Sequence, residues 1–213
     1  MSMGRKRPYL ETAKTKRQSP VDQEIERLVG LLSEGQNPKT KIRAAEELGK
    51  IGEPAVTALR LALAEETWEV RSNVILALEK IGAPATRVFQ EAMTDQDWFV
   101  RATAAKALGQ IKDVRAVNSL ISVLNDKDWF VRERAAEALS KIGEPAVGPL
   151  ILALKDRNGL VRERAADVLG KIGDAKSMKP LMEAFQDNEL YVRAKAILAF
   201  ESVRRRINAT PSG

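Results

Sequence analysis

The 213-residue chain contains no histidine and no cysteine. Without imidazole there is no side chain whose ordinary titration falls near neutral pH, no Ser-His relay and no His-ligated metal. Without thiols there is no disulfide, no thiolate nucleophile and no sulfur metal site. Aromatic residues make up only 5%. No run of about 18 apolar residues occurs, so no membrane span is expected. The basic start is not followed by a signal-type apolar stretch, which places the protein in the cytoplasm as an expectation. Carboxylates remain as acid–base groups, but here they follow a repeating register and form no isolated pair. The expectation is a protein without catalytic activity, cofactor or metal.

The net charge of +6 is unevenly placed. Residues 1–20 carry Arg5, Lys6, Arg7, Lys14, Lys16 and Arg17 against the single acid Glu11, and Arg204, Arg205 and Arg206 add three more positive charges. Between them the chain is slightly acidic. The basic leader has almost no apolar content and is expected to be disordered alone. It offers either a solubilising tail or a phosphate-seeking arm for RNA or a ribosome. Arg204 to Arg206 fall where a final helix would end, and there positive charge suits the dipole without any ligand.

What the chain has in abundance is self-similarity. Asp95-Gln-Asp-Trp-Phe-Val-Arg101 returns as Asp126 to Arg132, Asp156 to Arg162 and Asp187 to Arg193, with Glu65 to Arg71 before them. The arginines Arg71, Arg101, Arg132, Arg162 and Arg193 are spaced by 30 or 31 residues. A fixed period of that size is the mark of stacked structural units, each covering the apolar face of its neighbour.

One unit reads as two helices. Asp97 is placed to cap the first, as are Asn37, Thr67, Asp128 and Asn158, with Glu189 the exception. Trp98 is the first helical residue, and Pro38 takes that place in the first unit. Val100, Ala104, Ala107, Leu108 and Ile111 recur at steps of three and four, the stripe of a half-buried helix. Small pairs at Ala104-Ala105, Ala135-Ala136 and Ala165-Ala166 admit a close neighbour. Gly52, Gly82, Gly143 and Gly173 end these helices, where a left-handed residue is cheapest for glycine; Lys112 departs. Pro54, Pro84 and Pro145 then open a second helix with the stripe Val56, Leu59, Ala62, Leu63. The spacing predicts helices over 21–34, 38–51, 54–65, 68–81, 84–94, 98–111, 114–125, 129–142, 145–155, 159–172, 175–186 and 190–206. The end helices are expected to act as caps with polar outer faces. The first pair is degenerate, with Thr40-Lys41 where Val-Arg is expected.

The run Asp-x-Asp-x-x-Val-Arg, then Ala-Ala-x-x-Leu-Gly-x-Ile-Gly, then Pro-Ala-Val-x-x-Leu, resembles the HEAT-like repeat of the phycobilisome-lyase type across residues 38–203. The resemblance implies an all-α, right-handed α-solenoid, an armadillo/HEAT-like superhelix of about five helix pairs with a capping helix at each end. It would span residues 21–207, between the leader 1–20 and a tail 208–213. The family includes bilin-lyase subunits, a di-iron hydroxylase of deoxyhypusine and many interaction scaffolds. The hydroxylase's iron is held by His-Glu pairs that this chain cannot supply. A bilin-lyase-like chromophore-handling role remains open, because the accepting thiol would belong to the client. A fold this widely used does not choose the function.

Three constellations are candidates. An acid stands six residues before each repeated arginine, as in Glu65–Arg71 or Asp95–Arg101, which reads as a structural ladder of charge-assisted hydrogen bonds. Trp68, Trp98, Phe99, Trp129, Phe130 and Tyr191 share one two-residue site and predict an aromatic edge. Such rings either seal the stack or anchor a partner; Gly159-Leu160 interrupts the row. The outward face of the second helices carries Thr57, Leu61, Arg87, Glu91, Asn118, Ser122, Leu152, Lys155, Lys179 and Glu183. Those positions vary while the buried ones repeat, and in related solenoids this helix lines the concave side. The expected function is a protein–protein interaction scaffold binding there, with an RNA- or ribosome-associated factor as the alternative.

Overall fold

The computed structural model describes residues 19–34, 37–65 and 68–209, without the side chains of residues 33, 34, 64, 65, 68 and 69. These residues are all-α, and no strand occurs among them. The α-helices are α1 (Pro20–Glu34), α2 (Pro38–Ile51), α3 (Val56–Glu65), α4 (Trp68–Ile81), α5 (Thr86–Ala92) and α6 (Trp98–Ile111). They continue as α7 (Val117–Ser122), α8 (Trp129–Ile142), α9 (Val147–Ala153), α10 (Gly159–Ile172), α11 (Met178–Glu183) and α12 (Leu190–Ala209). The chain divides into two compact units, Met1–Val88 and Phe89–Gly213. In the first, α2 packs on α1 and α4, and α3 on α4; in the second, α6, α8, α10 and α12 pack in sequence, backed by α7, α9 and α11. None of these helices is long and apolar enough to cross a membrane.

The first helices begin and end where their caps dictate. Asp97 Oδ1 accepts from the Phe99 amide at 2.8 Å, Asn158 Oδ1 from Leu160 at 2.9 Å and Asn37 Oδ1 from Lys39 at 2.9 Å. Asp128 sits at the N-cap of α8 but makes no side-chain cap bond; its Oδ2 lies 3.4 Å from Arg101 Nη2 instead. Thr67 lies outside the described residues.

The helix ends take two forms. Gly52, Gly82 and Gly143 have φ of 78°, 80° and 79° with ψ near −135 to −140°, a conformation closed to side chains, and each precedes a 3-10 turn holding a proline. Lys112 (φ 56°, ψ 33°) and Gly173 (φ 81°, ψ 21°) are left-handed, and the next residue, Asp113 or Asp174, caps the following 3-10 turn. The αL turn tolerates a lysine where the other would not. The second helices therefore open with a 3-10 turn, and α7 and α11 also close with one, so their α segments are shorter than the repeat pattern predicts.

The expected apolar stripes form the core. Val100, Ala104, Ala107, Leu108, Leu59, Leu120, Leu139, Leu150 and Leu169 are fully buried. Each such leucine contributes about 1.5–3 kcal/mol through removal from water. The alanine pairs 104–105, 135–136 and 165–166 are fully buried as well. Gly109 and Gly170 make the contact closer still. A Cβ on Gly109 would lie 2.6 Å from the Ala138 Cα of α8, and one on Gly170 2.8 Å from the Ala199 Cα of α12. Ser140 holds that place in α8, where the chain turns its hydroxyl back to its own Ala136 carbonyl at 2.9 Å.

Candidate functional site

The repeated arginine is a structural tie, though not through the contacts its spacing suggests. Arg101 Nη1 donates to the backbone carbonyls of Asp95 (2.8 Å) and Gln96 (3.1 Å), which fixes its own turn. Its Nε and Nη2 donate to both carboxylate oxygens of Asp126, in the next repeat, at 2.7 and 2.8 Å. Arg162 repeats this, with Nη1 on the Asp156 and Arg157 carbonyls and a fork onto Asp187 at 2.7 and 2.8 Å. The acid six residues earlier thus supplies a carbonyl, and the carboxylate comes from one repeat further on. Arg101 and Arg162 are buried. Among the described residues Arg132 keeps only the backbone half, to Asp126 and Lys127, and its buried Nε has no hydrogen-bond partner there.

These pairs set an acid limit. Burial pushes the Asp126 carboxyl up, but the Arg101 guanidinium and the Asp128 amide outweigh it and hold the group below the ordinary carboxylate range. The Arg162 hydrogen bond likewise lowers Asp187 against its burial. A carboxylate whose folded pKa is depressed stabilises the fold above its unfolded value and loses that contribution as pH falls through the folded one. Thermal midpoints are therefore expected to be flat from pH 7 down to about 5 and to fall steeply below about pH 4. The drop should be smaller in Asp126→Asn, which is already destabilised at neutral pH. Calorimetry across that range checks it.

The aromatic edge is partly assembled. Trp98 meets Phe99 and, across the joint to the next repeat, Phe130, each at 5.7 Å between ring centroids and nearly edge-to-face. Trp129 meets Phe130 at 5.5 Å, and the Arg134 guanidinium lies 4.6 Å from the Phe130 centroid. Four rings thus run contiguously from Phe99 through Trp98 and Phe130 to Trp129, and a cation lies over Phe130, an arrangement that favours both kinds of contact. Sealing does not hide them: Trp98 is 45% and Trp129 65% exposed. Tyr191 stands apart, its ring occupying the space that Gly159 leaves open. The Trp68 side chain lies outside the described residues.

On the second helices, Thr57, Arg87, Glu91, Asn118, Ser122, Leu152, Lys155, Lys179 and Glu183 are exposed, while Leu61 is half-buried. Leu152 at 73% is the most exposed large apolar side chain among the described residues. Lys155 and Glu183 line a cleft of about 220 Å³ with Ile151, Leu154 and Pro180, where α9 faces α11. Asp187, held by Arg162, lines the same cleft. Among the described residues no group of three His, Cys, Asp or Glu side chains could hold a metal. Arg5, Lys6, Arg7, Lys14, Lys16 and Arg17 lie outside the described residues.

Sequence reasoning missed a charged rail along the first helices. Glu133 of α8 accepts from Arg164 of α10 at 3.1 Å, and Asp167 of α10 pairs with Lys195 of α12 at 3.0 Å and with Lys171 at 2.9 Å. It also missed the outer face of α12. That helix holds the end position expected of a cap, yet Leu190 is 70% and Leu198 63% exposed where polar cover is expected.

A family model described as HEAT repeats matches residues 25–94, 86–152 and 147–206. No curated protein matches the chain. Solved structures of similar fold include the complex of CpcE and CpcF of phycocyanin lyase from Nostoc sp. PCC7120, at 22% identity over 68% of this chain and 98% of that one, with a TM-score of 0.46. Human deoxyhypusine hydroxylase aligns at 19% identity over 87% and 97% of the two chains, with a TM-score of 0.43. A designed armadillo repeat protein in complex with the peptide (KR)4 aligns at 17% identity over 87% and 100%, with a TM-score of 0.46.

Proposed function

The chain belongs to the HEAT-repeat family, an all-α solenoid fold typical of protein-interaction scaffolds, and from that premise we propose a non-catalytic scaffold that holds a protein partner on its second helices. The observation that carries this reading is the contrast along those helices. Leu59, Leu120 and Leu150 repeat one buried position, while the water-facing residues change from repeat to repeat: Asn118 and Ser122, then Leu152 and Lys155, then Lys179 and Glu183. A surface whose buried position stays large and apolar, with Phe89 there in the second repeat, and whose exposed chemistry varies presents a specific pattern to one partner rather than a uniform charge. Leu152 supplies the apolar anchor and the flanking charges supply register. The concave placement of this face is an inference from repeat solenoids in general. Residues 21–207 are taken as the scaffold. The RNA- or ribosome-directed reading rests on leader residues outside the described ones, and the bilin-lyase-like reading rests on the repeat alone.

The test is affinity capture from the native cell with cross-linking mass spectrometry, on the full chain and on Leu152→Asp with Lys155→Glu. Cross-links are expected at Lys155 and Lys179 of the full chain. The double variant should bind the captured partner at least tenfold more weakly, with an unchanged helical spectrum. Retained affinity would remove the second-helix face from consideration. Loss of binding only on deleting residues 1–18 would transfer the function to the leader.

A further inference from the structure

The face of each first helix that receives the following repeat can be read from the contacts. Gly109 receives Ala138, Gly159 receives Tyr191, and Gly170 receives Ala199. Glu133 receives Arg164 and Asp167 receives Lys195. Counted from the start of each helix, these are positions 1, 5, 9 and 12. On α12 the same positions hold Leu190, Ala194, Leu198 and Glu201, with Ile197 at the place where Ala105, Ala136 and Ala166 are fully buried in the preceding helices. Nothing among the described residues covers them. Leu190 is 70%, Ile197 46% and Leu198 63% exposed, and with exposed Ala194 they make one stripe spaced at i, i+4, i+7 and i+8. A contiguous apolar helix face of this kind is a docking surface.

We propose that this stripe is a self-association face, on which α12 of a second copy packs antiparallel across a two-fold axis between Ile197 and Leu198. The charges select the occupant and its direction. The start of α12 carries the acid Glu189, Asp187 beside it being already held by Arg162, and its end is basic, with Arg204, Arg205 and Arg206. Arg204 is held by Glu201 and Arg206 by the Lys171 carbonyl, whereas Arg205 is exposed with no ion pair among the described residues. In the antiparallel register Ile197 meets Leu198 of the second copy, small Ala194 faces Glu201, and Arg205 lies over Leu190 with its guanidinium near Glu189. A parallel pair would instead stack the three arginines on their own copies. A two-fold contact is self-complementary, as this stripe is about its midpoint. One helix stripe buries less than the usual stable interface, so the dimer belongs to the weak class, with a dissociation constant on the order of 10 µM.

Sedimentation equilibrium of the full chain between roughly 1 and 300 µM, concentrations that bracket that constant, is expected to fit a monomer–dimer equilibrium. Leu198→Glu should remain monomeric throughout with an unchanged helical spectrum. The absence of cysteine makes a positional test clean. Mild oxidation should convert Leu198→Cys to a covalent dimer, since its two copies flank the axis within disulfide reach. Leu190→Cys should not cross-link, because at 1.5 Å per residue its copies stand about 22 Å apart. A monomer at every concentration, a dimer that survives Leu198→Glu, equal cross-linking of the two cysteine variants, or a ladder beyond dimer would each overturn the proposal.

Discussion

Replacing Arg101 with alanine is expected to lower the stability of the Phe89–Gly213 unit by about 3–5 kcal/mol, the range for breaking one side of a buried ion pair. The arginine is 5% exposed and holds both oxygens of Asp126, together with the carbonyls of Asp95 and Gln96. Its removal strands an acid that is itself nearly buried, 11% exposed at the side chain, and reopens a turn. Desolvation of the orphaned carboxylate, rather than loss of a favourable contact, supplies most of the cost. Arg132→Ala removes a residue that looks identical in sequence but carries only the backbone half of the network. Two neutral-acceptor bonds are worth about 1–2 kcal/mol net, and deleting the unpartnered Nε offsets part of that. Urea unfolding of the two variants should therefore separate them by at least about 2 kcal/mol, the gap between the two costs. Equal losses would show that the Arg101–Asp126 fork contributes nothing beyond the turn.

That contrast marks the limit of what the repeat pattern reveals. Asp97, Asn158 and Pro38 place helix starts correctly, because a cap is decided within three residues and local sequence holds all of the information. Buried stripes such as Val100–Ala104–Leu108 are equally local. The partner of each arginine is not, because the acid of its own repeat and the acid of the next are of the same type and hold the same register. Only the fold shows that the carbonyl comes from one and the carboxylate from the other. The aromatic site behaves alike: the sequence groups Trp98 with Phe99, but the contact that crosses the joint is Trp98 to Phe130. Lys112 stands where glycine is expected, and its tolerance follows from the Asp113-capped turn after it. The outer face of α12 was legible in principle. Ile197 and Leu198 stand where the repeat has Ala166 and Asp167, a departure from register that signals a different neighbour. The chemistry of the second-helix face selects no partner from sequence, because its exposed positions change from repeat to repeat and form no motif of their own.

Gly109→Val is expected to destabilise the same unit by about 3 kcal/mol, and the sign is not obvious from propensity. In an exposed helix, replacing glycine by a residue with a side chain is favourable, by up to about 1 kcal/mol for alanine. At Gly109 a new Cβ would fall 2.6 Å from the Ala138 Cα and 2.7 Å from its Cβ. The obstacle is partly backbone, so no rotamer change can relieve it, and α8 must retreat from α6 as a body. Separating them thins the contacts of Ala104, Ala105 and Leu108, all fully buried, and lengthens the Arg101–Asp126 fork at the same joint. The clash therefore outweighs the propensity gain. Gly30→Ala gives the reverse result. That glycine lies inside α1 with no atom of the described residues within 4 Å of a built Cβ, so the variant should gain about 0.5–1 kcal/mol. Thermal unfolding of both variants decides the matter, and a stabilised Gly109→Val would mean that α6 and α8 are not held at this distance. Because Gly49, Gly109 and Gly170 recur at alternate repeats while Glu79 and Ser140 hold the places between, Ser140→Val is expected to cost much less, about 1 kcal/mol. The α6–α8 and α10–α12 joints, each with a glycine and an Arg–Asp fork, then act as the tight couplings, and the α8–α10 joint between them has neither.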